Sequence, residues 1–106
     1  EYRQNVIEII KKAKDLVSQV IIVGLHPVIE EKCNPWKGRD YLFLNERIKK
    51  YNQIMKESAE AASVPYIEIF SKLEKRIDLP DLFDDGLHVN EKGHFEIFQI
   101  IKSQLK

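Results

Sequence analysis

The sequence offers little with which to staple or anchor a chain. Its one cysteine, Cys33, cannot close an internal disulfide, and no cysteine-based zinc site can be built from it alone. It has no excess of either charge: 17 Lys+Arg stand against 17 Asp+Glu, and the pI is near 7.1. General binding to nucleic acid or to an anionic membrane needs a basic excess or patch, so neither partner is expected. No apolar run approaches the roughly 20 residues of a membrane span. The longest apolar cluster, Val20 to Val23, is strand-length. No signal peptide pattern is visible. The lone thiol leans toward the cytoplasm, although a leader on a longer chain would change that. The chain also lacks an initiating methionine and runs from Glu1 straight into a helical pattern. The expectation is a trimmed or processed chain, or a piece of a longer one. Repeats, low-complexity segments and linkers are absent, so residues 1–106 are read as one domain.

The 43% of hydrophobic residues supply a modest core. Residues 2–17 predict an amphipathic helix with its stripe on Tyr2, Val6, Ile9, Ala13 and Leu16, widened by Ile10 and Val17. Val20-Ile21-Ile22-Val23 predicts a strand buried on both faces, as in a parallel sheet. A long polar loop over about 25–40 carries His26, Cys33, Trp36, Lys37 and Arg39. Residues 42–63 predict a second helix with Leu44, Ile48, Tyr51, Met55, Ala59 and Ala62 on one face, stopped by Pro65. Residues 66–70 predict a second strand, and 71–76 a short helix. Asn90 is a good N-cap for a last helix, to about 105, buried along Phe95, Phe98, Ile101 and Leu105 with Ile97 beside them. Strand, helix and strand make a right-handed βαβ unit in an α/β layer architecture. Two strands make a poor parallel sheet, so part of the sheet is expected outside these residues, or shared by self-association through the open edge.

The segment Asp84-Asp85-Gly86-Leu87-His88-Val89-Asn90-Glu91-Lys92-Gly93-His94 is the one with chemistry to offer. Asp85 and His88 are three apart, before a helix. If the chain curls around Gly86, the carboxylate reaches the Nδ1–H of His88. That contact selects a tautomer, leaves Nε2 as the basic nitrogen, and stabilises the imidazolium. Spacing alone makes this a weak signal.

Asp85-Gly86-Leu87-His88-x-Asn90-x-x-Gly93-His94, followed by an amphipathic helix, resembles the last conserved block of the SGNH hydrolases, the GDSL-type lipases and esterases. In that family the block reads Asp-Gly-x-His-Pro-Asn and then Gly-His; Val89 stands here for the proline. Val20 to Val28 resembles the family's penultimate strand, and 42–63 and 66–70 fall where the family has a helix and a strand. The resemblance implies a flavodoxin-like three-layer α/β/α fold with a parallel sheet. This chain would supply about two strands and three to four helices, the C-terminal half of the domain. It further implies ester hydrolysis by a Ser-His-Asp triad without a cofactor, with Asp85 the orienting carboxylate and His88 the general base. His94 would be structural. The substrates implied are small esters, such as acylated sugars, short acyl esters or lysolipids.

The family's Gly-Asp-Ser and Gly-x-Asn-Asp segments, which carry the nucleophile and oxyanion donors, do not occur here. Of Ser18, Ser58, Ser63, Ser71 and Ser103, only Ser71 falls at the carboxyl end of a strand, and none follows Gly-Asp. The chain alone is therefore expected to be inactive, its missing half being the partner. Trp36, Lys37 and Arg39 are read either as pocket-shaping residues or as ordinary surface. His26 is read as an exposed loop histidine, with a place lining the substrate cleft as the alternative. Asp81, Asp84, Asp85, His88 and His94 match no standard metal motif. The competing functions are a non-catalytic α/β interaction module or degenerate hydrolase fragment, and a receiver-type domain. The receiver reading needs an aspartate at a strand end, where Gly24 and Ser71 stand.

Overall fold

A computed structural model describes residues 1–33 and 43–105. The elements run α1 (Tyr2–Leu16), β1 (Ile22–Val23), α2 (Glu30–Cys33), α3 (Asn45–Ala61), β2 (Tyr66–Ile67), α4 (Phe70–Leu73), a 3-10 turn (Leu79–Leu82) and α5 (Glu91–Gln104). The class is α/β, with a parallel pair at its centre in the register Ile22 with Tyr66 and Val23 with Ile67. The short helices α2 and the 3-10 turn were not anticipated. Among the described residues no helix is long and apolar enough to cross a membrane.

Strand alternation divides the core in two, because successive side chains point to opposite faces. Ile22 and Tyr66 face Ile10 of α1 and Ala59 and Val64 at the end of α3. Ile67 faces Leu73, Leu82, Phe83 and the Ile97, Ile100 and Ile101 stripe of α5. The layers are thus α1 and α3, then the sheet, then α5.

Two predicted stripes are corrected. On α1, Ile10 is enclosed, whereas Ile9 and Leu16 are exposed. The inward line there is the buried Ile10 with the half-buried Tyr2, Val6 and Ala13, and Tyr2 rests on Tyr51 of α3 with ring centroids 4.6 Å apart. On α5, Phe95, Phe98 and Leu105 are exposed, and the inward stripe is Ile97, Ile100 and Ile101. Both helices carry more apolar residues than one face can hold, so periodicity alone could not choose between adjacent stripes.

The strands are shorter than their β-branched runs suggest because side-chain amides take over from the ladder. After Gly24, the Leu25 N–H donates to Asn52 Oδ1 at 2.8 Å, and Asn52 Nδ2 donates to the Leu25 carbonyl at 3.1 Å. Three residues on, Asn45 does the same for Val28, at 2.9 and 3.0 Å. Asn45 and Asn52 lie two turns apart on α3, so one helix face grips the chain leaving β1. At the end of β2, Gln104 of α5 receives the Glu68 N–H at 3.1 Å and donates to its carbonyl at 2.9 Å. The expected burial of Val20–Val23 on both faces is also corrected: Ile21 and Val23 are 41% and 42% exposed.

The helix α3 stops before Pro65 acts. Ser63 takes a left-handed φ of 58°, the Val64 N–H donates to the Ala59 carbonyl at 2.8 Å, and Ser63 N–H to Glu60 at 3.1 Å. This is a Schellman ending with serine where glycine is usual. Lys14 of α1 also donates to the Ala62 carbonyl, at 2.7 Å.

Asn52→Ala strips both bonds from Leu25 and is expected to lower stability by about 2 kcal/mol. A urea melt will read this as a lower midpoint at unchanged slope, while Gln53→Ala on the exposed side of α3 will stay within about 0.5 kcal/mol.

Candidate active site

The segment from Phe83 to Val89 doubles back on itself. Phe83 and Val89 form an antiparallel bridge, and the Asp84 N–H donates to the His88 carbonyl at 2.9 Å. Inside this loop the Asp85 carboxylate accepts three bonds. Oδ1 takes the backbone N–H of Leu87 at 2.9 Å and of His88 at 2.7 Å. Oδ2 lies 2.9 Å from His88 Nδ1. One carboxylate therefore folds the turn with one oxygen and orients the imidazole with the other. The His88 amide, ahead of the His88 ring and the Leu87 amide, holds the Asp85 carboxyl at a pKa of about 2. The ionised form is the one that can receive Nδ1–H, so Nε2 is the nitrogen left basic. The pair lies near the surface, His88 being 66% exposed, so its value lies in geometry more than in stability.

The two glycines in the motif have separate steric reasons. Gly86 sits at φ +89°, a Cβ there would meet Lys32 Cβ at 2.6 Å, and its carbonyl accepts the Ile29 N–H at 2.8 Å. Only glycine lets the tip of the turn dock against α2 in this conformation. Gly93 is in the first turn of α5, where a Cβ would come within 2.3 Å of the Leu82 carbonyl oxygen. Asn90 ties the two parts together. Its N–H donates to Leu82 at 2.9 Å and its Nδ2 to the Asp81 carbonyl at 2.8 Å, while its Oδ1 caps α5 by accepting the Gly93 N–H at 2.9 Å. Farther along, Arg76 pairs with Asp78 at 2.8 Å and with Glu96 of α5, bracing the segment before the 3-10 turn.

Ile29 follows the stretch that Asn45 and Asn52 hold, so the Asp85–His88 turn sits beyond the carboxyl end of β1. That is where open α/β sheets place their sites. His26 is in the same stretch and is half-buried, which corrects the expected exposed histidine. Its ring meets Phe83 edge-on at 5.5 Å, and its Nδ1 lies 2.6 Å from the Pro27 carbonyl. Cys33 ends α2, fully buried, with its thiol donating to Ile29 at 3.3 Å; burial raises its pKa. His94 is exposed on the first turn of α5, and Asp81 and Asp84 contribute backbone bonds. Among the described residues no three potential metal ligands cluster. Ser71 is the second residue of α4, its N–H bonded to Glu68 at 2.9 Å, beside a hollow of about 220 Å³ lined by Lys49, Asn52, Gln53 and Lys56 and reaching neither Asp85 nor His88. Trp36, Lys37 and Arg39 lie outside the described residues. Sequence reasoning missed Asn45 and Asn52; the signal was two asparagines seven apart, in a helix whose apolar face was read past them.

Residues 1–94 match the GDSL-like Lipase/Acylhydrolase family. The chain belongs to that family. Among solved structures it is similar to LAE5, an alpha/beta hydrolase enzyme from the metagenome of Lake Arreo, Spain, with a TM-score of 0.71 at 20% identity. The likeness covers 97% of this chain and 45% of that one, so this GDSL-like chain spans less than half the length of its structural neighbour. No curated protein matches it.

Because the folded pKa of Asp85 lies below that of an unfolded aspartate, its contribution to stability is present above about pH 4 and is lost as pH falls toward 2. A carbonyl-detected NMR titration is expected to give Asp85 a midpoint of about 2. Asp85→Asn will flatten the acid limb of a urea-midpoint profile relative to the parent chain.

Proposed function

We propose that this chain is the C-terminal part of a serine esterase or acylhydrolase, supplying Asp85 and His88 to a Ser-His-Asp triad whose serine lies on polypeptide outside these residues. The observation that carries the reading is the 2.9 Å contact between Asp85 Oδ2 and His88 Nδ1, within a turn the same carboxylate braces. Membership of a lipase/acylhydrolase family supports acyl transfer as the chemistry.

In the proposed mechanism a serine hydroxyl attacks the ester carbonyl while His88 Nε2 takes its proton. Asp85 stays ionised and stabilises the imidazolium. The tetrahedral intermediate collapses, His88 returns the proton to the leaving alkoxide, and an acyl-serine remains. Water then repeats the sequence with the same base, releasing the acid and the free serine. The oxyanion donors come with the serine's half, because the Gly-x-Asn-Asp segment is not in this sequence. The substrates are small esters: acylated sugars, short acyl esters or lysolipids.

The 106 residues alone are expected to leave p-nitrophenyl acetate at its buffer rate. A longer polypeptide bringing Gly-Asp-Ser will hydrolyse it, and His88→Ala will lower its kcat by at least about 10³-fold, with Asp85→Asn close behind. Turnover by the short chain alone, abolished by His88→Ala, would mean that the nucleophile is among these residues.

A further inference from the structure

Helices α1 and α3 run side by side. Tyr2 rests on Tyr51, and Arg3 pairs with Glu57 at 2.7 Å. Farther along, Lys14 donates to the Ala62 carbonyl at 2.7 Å. In this stretch the two helices leave a groove of about 290 Å³ between them. Its α1 wall is Ile7, Ile10, Lys11 and Lys14, spaced three and four apart and so on one face. Its α3 wall is Ser58, Ala61 and Ala62, on one face by the same rule. Three small side chains opposite isoleucines leave space that larger ones would fill.

Ser58 is out of keeping with this wall. It is 3% exposed, and its hydroxyl is enclosed without a hydrogen-bond partner. A serine inside a helix can return its hydroxyl to the carbonyl four residues back, and this one does not. A buried hydroxyl without a partner costs free energy, and native structures keep few of them. Alanine would be the better helix former here. Sharing a stripe with Ala61 and Ala62, the Ser58 side chain is directed at α1 and the groove floor. The hydroxyl is accounted for if a molecule in the groove accepts its proton.

The lining gives that molecule its charge and its body. It holds two lysines and no carboxylate. Among the described residues neither Lys11 nor Lys14 is in an ion pair. An oxyanion at Ser58 and Lys11 receives charge-assisted bonds. The rest of the lining is aliphatic, from Ile7 and Ile10 to the two alanine methyls, and suits an alkyl chain. The volume is that of about ten waters, enough for one short chain and too small for a two-chain lipid.

We propose that the groove between α1 and α3 binds a medium-chain aliphatic carboxylate, its head on Ser58 and Lys11 and its chain along Ile7, Ile10, Ala61 and Ala62. None of these residues belongs to the Asp85–His88 turn, so the proposal stands or falls apart from the esterase reading.

The test is methyl NMR on the polypeptide at the length the cell makes it, titrated with sodium octanoate and with octanol. Octanoate is expected to shift the Ile7, Ile10 and Ala61 methyls saturably, with a Kd below about 1 mM. Octanol has the same chain without the charge and will bind at least about 10-fold more weakly. Lys11→Glu will weaken octanoate by at least about 10-fold and leave octanol unchanged. Ser58→Ala will weaken octanoate about 10-fold, yet leave the melting midpoint in place or raise it, as the loss of an unpaired hydroxyl allows. Ala61→Leu will fill the groove and abolish the shifts. Absence of a saturable shift overturns the proposal, as does equal affinity for octanoate and octanol or for the parent and both head-group variants. A midpoint lowered by Ser58→Ala also overturns it, because the hydroxyl would then have a partner of its own. So does a groove already filled in the cellular form by its own chain, read as contacts to the Ile7 and Ala61 methyls from residues outside these 106.

Discussion

The grip of Asn45 and Asn52 on the chain leaving β1 is the constraint from which the site's position follows. An amide side chain presents an N–H and a carbonyl oxygen side by side, so it can bond both backbone groups of one residue as a strand neighbour would. Asn52 holds Leu25 and Asn45 holds Val28 in this way. With 25–28 fixed to α3, the Ile29 N–H is delivered to the Gly86 carbonyl, and the Asp85–His88 turn is anchored at its tip. Helix α3 thus helps to determine where the imidazole stands. The same device recurs at the far edge, where Gln104 completes Glu68.

The site itself is built from weak parts in a strict arrangement. A surface Asp–His pair contributes little to stability. What the fold supplies is a low-pKa carboxylate pinned by two amides, so that the pair has one orientation. That is the kind of preorganisation the proposed general base would use.

The three long helices, the two strands, their order and the parallel βαβ pairing were readable from periodicity and from the Asn90 cap, whereas α2 and the 3-10 turn were not. The Asp85–His88 contact was readable too, because it spans three residues around a glycine. Stripes and strand lengths were less readable. Ile9 and Ile10 both fit a helical repeat, and only packing on α3 selects Ile10. The run Ile67-Glu68-Ile69-Phe70 alternates as a strand would, yet Gln104, remote in sequence, takes Glu68 and the strand ends at Ile67. Ser63 carried no visible signal for a left-handed helix end, since glycine is the usual marker there. These are long-range decisions, and a local pattern does not contain them.

Nearly every bond that shapes the histidine turn joins residues fewer than ten positions apart, from the Phe83–Val89 bridge to the Asn90 cap. The parallel pairing of Ile22 with Tyr66 spans 44 positions. Closing the small loops costs little chain entropy, whereas the sheet must close a large one. The turn can therefore form early in folding and wait, preassembled, for the slower sheet. The proposed nucleophile, arriving last, would meet an imidazole already oriented.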